Sequence, residues 1–176
     1  MKGKLIYQET HAMPGTTVWY LTIATLVGIS GMFLWGMYTQ LINGIPWGDK
    51  PMSDMGLLIV GGSSILLMIG LTVFISLHKL TLEIDREAFY VKFNPYFKEP
   101  KVFRKAELQS ATVRKYQPIM EFGGWGLRIG LKKSKAYNIT GNYGLQLVFT
   151  DGSKLLIGTR NEKELEAAVE KFNADG

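Results

Sequence analysis

The chain contains no cysteine. Disulfide frameworks, thiolate nucleophiles and cysteine metal sites are therefore excluded. Histidine is nearly as scarce, with only His11 and His78. No Ser-His-Asp set can be assembled in the C-terminal half, and no cluster of His, Asp and Glu has metal-ligand spacing. Charge is missing over two long stretches: Ala12 to Gly48 and Met55 to Leu77 hold no Asp, Glu, Lys or Arg. A proton relay, a voltage sensor or an ion pathway needs ionisable groups inside such segments, so these roles are disfavoured. No motif calls for a cofactor, and no residue set specifies a reaction.

What fills the uncharged stretches is apolar. Val18 to Ile42 is 25 residues and Met55 to Leu77 is 23. As helices they would measure roughly 37 and 34 Å, enough to cross a hydrocarbon core of about 30 Å with some tilt. A signal-peptide core of about 7–15 residues is shorter than the first run, and a second run follows at once. The expectation is a transmembrane hairpin over residues 16–78, with spans at 18–42 and 55–77, between a segment at 1–15 and a domain at 79–176. Lys2 and Lys4 precede the first span, Lys79, Arg86 and Lys92 follow the second, and the connecting loop has Lys50 alone. Positive charge on the inner flank then places both termini inside. Trp19 and Tyr20 would mark the inner interface, and Tyr38 and Trp47 the outer one. Small residues suggest where the helices meet: Ala24, Gly28 and Gly31 share a face of the first, and Ser63 and Gly70 a face of the second.

The composition changes after Leu77. The 98 residues from Lys79 on carry 17 Lys and Arg against 12 Asp and Glu. That excess suits a neighbouring anionic lipid surface and is too scattered for nucleic acid. Leu80, Leu82 and Ile84 alternate with polar residues, as do Phe89, Val91 and Phe93 after a turn at 85–87, before Asn94-Pro95 stops the strand. Further strands are expected at 101–104, 109–116, 127–131, 136–139, 145–149 and 154–157, with a single turn at 106–108 and a hairpin turn at Asp151-Gly152. The end differs. Asn161 and Glu164 can form a capping box, and Leu165, Ala168, Val169 and Phe172 make a helical apolar stripe. The fold class is thus a two-helix hairpin followed by a mainly β sandwich or open barrel capped by a C-terminal helix.

Three segments carry a resemblance: Glu121-Phe122-Gly123-Gly124-Trp125-Gly126-Leu127-Arg128, Lys135-Ala136-Tyr137-Asn138-Ile139 with Gly141-Asn142, and Leu156-Ile157-Gly158-Thr159-Arg160-Asn161. The chain resembles, over nearly its whole length, a family of uncharacterised two-span bacterial membrane proteins with a C-terminal pleckstrin-homology-like domain. Relatives of that kind tend to have proline where this chain has Glu162, and either residue suits a first helical turn. The resemblance implies a fold and a location in the bacterial cytoplasmic membrane. It implies no activity and no catalytic residues.

The candidate binding residues are Trp125, Arg128, Lys132, Lys133, Lys135 and Tyr137. Trp125 lies among three glycines and reads either as the tip of a binding loop or as an indole folded onto the core, its commoner fate. Arg128, Lys132, Lys133 and Lys135 are the densest basic cluster. They suit lipid headgroups or an acidic partner, and equally a solvated turn. Tyr137 and Asn138, with Asn142 and Gly144, sit in a turn-rich region where Asn and Gly read most simply as turn residues, and a pocket role for Tyr137 is weighed against that. The functional expectation is a non-enzymatic, membrane-anchored binding or assembly module whose partners are membrane lipids and a protein or a second copy. The alternatives are an accessory subunit docking through its hairpin, and, further off, an enzyme with an unfamiliar site.

Overall fold

A computed structural model describes residues 4–130 and 133–174. The chain divides into two compact units: Met13–Leu77, and the N-terminal segment through Ala12 together with everything from His78 on.

The first unit is a pair of helices, α1 (Thr17–Met37), continued by a π-helical turn at Tyr38–Ile42, and α2 (Asp54–Ser76). Both are long and apolar enough to cross a membrane. Each starts on a hydroxyl cap. Thr16 accepts from the Trp19 N–H and Ser53 from the Gly56 N–H, satisfying donors that the first helical turn leaves unpaired. The far ends of α1 and α2 are tied by Gln40, which donates to the Met52 carbonyl and the Asp54 carboxylate, both at 2.8 Å, and accepts from the Trp47 N–H at 3.3 Å. Trp47 folds back onto Gly36, where any Cβ would stand 2.6 Å from the indole. At the other end the Trp19 indole N–H donates to Ser76 at 2.9 Å.

The seam between the helices departs from the sequence expectation. On α2 the buried residues are Leu57, Gly61 and Thr72. A Cβ at Gly61 would lie 2.5 Å from Met37 and 3.0 Å from Phe33, so a small residue of one helix receives large ones of the other. Gly28, Gly31 and Gly70 have nothing within 4 Å of a Cβ, and Ala24 and Ser63 are exposed. These five residues do not form the contact within the hairpin. Small size permits close approach but does not say which of many glycines faces the partner.

The second unit holds two sheets. In the first, β1 (Tyr7–Ala12), β2 (Lys79–Ile84), β3 (Ala88–Asn94) and β4 (Lys101–Arg104) run antiparallel in that order. A 3-10 turn at Lys105–Glu107 leads to β5 (Leu108–Lys115). The short helix α3 (Pro118–Phe122) precedes β6 (Gly126–Ile129), β7 (Ser134–Asn138), β8 (Tyr143–Phe149) and β9 (Lys154–Thr159). The second sheet has the order β5-β8-β9-β7-β6, with β7 and β9 parallel and the other pairs antiparallel. Helix α4 (Glu162–Ala174) closes the chain.

The alternation read from sequence becomes the core. Leu80, Leu82, Ile84, Phe89, Val91 and Phe93 point inward. Leu165, Ala168, Val169 and Phe172 are the buried stripe of α4, and Phe172 meets Phe89 at 4.3 Å between ring centroids. The turn after β2 forms as expected, its Asp85 carboxylate accepting from the N–H groups of Glu87 and Ala88.

Two elements were not expected. Residues 7–12 form an edge strand, so part of the 1–15 segment belongs to the β domain; Ala12 pairs with Lys79 and Tyr7 with Ile84. The proline at 118 does end β5, but it also opens α3, which Gly123 closes in the left-handed region at φ 70°.

Candidate functional site

The glycine-rich segment first serves the backbone. Gly123 and Gly124 donate to the Ile119 and Pro118 carbonyls, which finishes α3, and Gly124 and Gly126 also hold positive φ. Trp125 is half-buried on this loop. Its indole N–H donates to the Gly141 carbonyl at 3.2 Å and its own carbonyl accepts from Arg128 Nε at 2.8 Å. Trp125 and Arg128 therefore come together, as parts of a loop clasp.

The basic cluster does not stay together. Arg128 pairs with Ala136 across β6 and β7, while Ile129 pairs with Lys135 and Leu127 with Tyr137. Paired residues share a face, so Arg128 stands on one side of the sheet and Lys135 and Tyr137 on the other. Lys133 is exposed in the turn before β7 at φ 57°, and Lys132 lies outside the described residues.

Tyr137 and Asn138 lie on β7, within the strand expected at 136–139 rather than in a turn. Asn138 is fully buried; its carbonyl oxygen accepts from the Gly126 N–H and its amide donates to the Tyr116 hydroxyl at 2.9 Å. Tyr116 in turn packs with Phe122, Ala136 and Leu156. Tyr116→Phe should leave one Asn138 N–H without its partner and destabilise the domain by about 1–2 kcal/mol, read as faster amide exchange in β6 and β7.

Lys135 and Tyr137 open instead on a groove of about 430 Å³ between β4 and the β7–β9 side of the second sheet. Lys101 reaches it from β4, with its ammonium 3.9 Å from the Phe97 ring centroid and 3.4 Å from the Tyr137 hydroxyl, to which it donates. Lys154 stands at the start of β9 on the same groove, and Phe103 and Phe149, 5.5 Å apart, form an aromatic wall. Burial pushes the Tyr137 phenol above its ordinary range, and the charge of Lys135 offsets part of that rise. Lys101 and Lys154 were not singled out from sequence. They lie far from Lys135 along the chain, and only the pairing of sheets brings them near it.

A buried polar hub also went unread. Glu9, at 8% exposure on β1, accepts from Tyr7 at 2.8 Å, from the Thr159 hydroxyl at 2.7 Å, from the Arg160 N–H at 3.0 Å and from His11 Nε2. Burial alone would raise its carboxyl. The hydrogen bonds from His11 and Thr159, the attraction of the His11 ring and the bond from Tyr7 outweigh that and hold it at about 2. Burial, then the bond to Glu9, raises the Tyr7 phenol. His11 Nδ1 is buried without a hydrogen-bond partner among the described residues. The hub fastens β1 of the first sheet to the end of β9 in the second. The Tyr7, Glu9, His11 alternation is the signal that could have shown it.

Among the described residues no group of three or more His, Asp and Glu is placed to hold a metal ion. No protein-family model and no curated protein matches the chain.

Proposed function

We propose that the chain is a membrane-anchored, non-enzymatic binding or assembly module. Helices α1 and α2 span the bacterial cytoplasmic membrane as a hairpin, and the β unit is a pleckstrin-homology-like domain on the cytoplasmic side. The observation that carries this is the β1–β2 ladder. The chain leaves the domain at Ala12 and returns at Lys79, and these two residues are register partners. A sheet built from both flanks of a hairpin requires both flanks on one side of the bilayer, hence an even number of crossings. The uncharged length of both helices and the lysines flanking them support insertion and orientation. Two sheets closed by one amphipathic helix support the domain type.

The absence of native cysteine makes the test direct. Single cysteines at Asp49 and at the exposed Ser110 are expected to behave oppositely toward an impermeant maleimide: Asp49→Cys labels in intact cells and Ser110→Cys only after lysis. The chain should also stay in the pellet after alkaline carbonate. Labelling of Ser110→Cys in intact cells, or release by carbonate, would overturn the reading.

A further inference from the structure

We propose that the groove between β4 and β7 binds a phosphate monoester carried on an apolar body. The inference deepens the binding-module reading and rests on it for its biological context, but not for its chemistry.

The groove has a buried polar group without its full set of partners. Tyr137 is 3% exposed, yet it lines the groove, with its hydroxyl bonded to Lys101 of the same lining. That oxygen accepts from Lys101 at 3.4 Å, and its own proton has no acceptor among the described residues. A phenol buried to this degree ordinarily satisfies its donor. Here the donor is left for something that enters.

The entering group is an anion. Lys101 donates to the Tyr137 hydroxyl from the first sheet, Lys135 is two residues from Tyr137 on β7, and Lys154 also lines the groove. Lys135 and Lys154 have no ion pair among the described residues. Glu107 and Asp151 line the groove as well, so its walls carry three ammonium groups and two carboxylates. Asp151 accepts from the Ser153 N–H at 2.9 Å, and Glu107 accepts from the Arg104 N–H at 3.3 Å and lies 4.0 Å from its guanidinium. Several ammonium donors and a free hydroxyl proton suit the multiple acceptor oxygens of a phosphate monoester, which carries about −1.5 to −2 charge near neutral pH.

The aromatic wall decides what the phosphate is attached to. Phe103 and Phe149 offer apolar surface directly beside the cationic end. The combination of one charged end and one apolar end in about 430 Å³ is the ordinary build of a small-molecule site. A soluble phosphate ester and a lipid with a terminal phosphate present the same chemistry to it.

The test uses the full chain in non-ionic detergent micelles and isothermal titration calorimetry. One arm titrates glycerol 3-phosphate; the other titrates phosphatidic acid doped into the same micelles. Saturable binding is expected in at least one arm, and the tighter arm identifies the source. Lys101→Met and Lys135→Met should each weaken it about tenfold or more, and Tyr137→Phe several-fold, as losses of charge-assisted contacts do. Lys163→Met, on the exposed face of α4, should leave it unchanged. Amide exchange in β7 confirms that each variant is folded. No saturable binding in either arm, or equal weakening by Lys163→Met, would overturn the proposal. Carbonate extraction reads the anchor separately: a chain that stays in the membrane but does not bind sinks the groove alone, and a chain that binds but is extracted sinks the anchor alone.

Discussion

Glu9→Ala is expected to destabilise the β domain by about 3–5 kcal/mol, the range for removing one partner from a buried, hydrogen-bonded charged set. The substitution leaves Tyr7, Thr159, the Arg160 N–H and His11 without their common acceptor. It also unfastens β1 from β9, because Glu9 is the residue through which those two strands exchange side-chain bonds. Hydrogen exchange of the full chain should show amides in β1 and β9 opening about a hundredfold faster or more, at about 1.4 kcal/mol per decade. Unchanged protection in both strands would show that the hub contributes little. The same residue gives an acid signature. Its carboxyl lies at about 2 in the folded chain against an ordinary 4.5. A depressed carboxylate contributes stability that is complete above about 4.5 and is lost as pH falls from there toward about 2. The contribution is about 3 kcal/mol at most, at about 1.36 kcal/mol per pKa unit. Glu9→Gln should remove most of that pH dependence while retaining the side chain's volume. A pH profile identical to the parent's would assign the acid sensitivity to another carboxylate.

The sequence displays what depends on short-range periodicity. Alternation in Leu80–Ile84 and Phe89–Phe93, and the stripe of Leu165, Ala168, Val169 and Phe172, are local patterns, and the structure buries them as read. The uncharged runs are local too, and they form the two long helices. What stayed hidden depends on pairing between distant segments. Residues 7–12 carry an alternating pattern of their own, but their strand partner lies beyond the whole hairpin. A polar run before an apolar one therefore looks like a tail. The parallel pairing of β7 with β9 is equally non-local, and it places Lys154 near Lys135.

The candidate site divides on the same line. Lys135 and Tyr137 are two residues apart on one strand, so period-2 geometry puts them on one face, and a pocket role for Tyr137 could be entertained from sequence. Arg128 counts as a neighbour of Lys135 by position, but the β6–β7 register sends it to the opposite face. Density of charge along a chain thus overstates density in space whenever a hairpin intervenes. The glycines of 123–126 show a related confusion. Their freedom of φ serves the end of a five-residue helix, α3, whose length is too short to leave a periodic signal.

Gly61→Leu is expected to part the two long helices, whereas Gly28→Leu is expected to leave them in place. At Gly61 a Cβ alone would meet Met37 at 2.5 Å and the Phe33 ring at 3.0 Å. The Met37 terminus can swing aside, but the ring is held between its own helix and Trp47, whose centroid is 6.3 Å away. A leucine adds three further carbons to a Cβ that is already too close to both, and overpacking of this kind costs about 1–3 kcal/mol. On the proposed reading the two helices lie in lipid, where packing itself and not a hydrophobic drive holds helices together. At Gly28 a Cβ would meet nothing within 4 Å, and the residue is exposed, so the added side chain has open space. Spin labels on cysteines placed at the exposed Leu34 and Leu58 would read the result, with no native thiol to interfere. In the parent chain and in Gly28→Leu the distance distribution should be narrow and the same. In Gly61→Leu it should lengthen and broaden, and Gly61→Ala should fall between, because its single methyl presses chiefly on the flexible end of Met37. An unchanged distribution in Gly61→Leu would mean that the seam lies elsewhere on α2. A shift caused by Gly28→Leu would return the contact to the Ala24, Gly28 and Gly31 face.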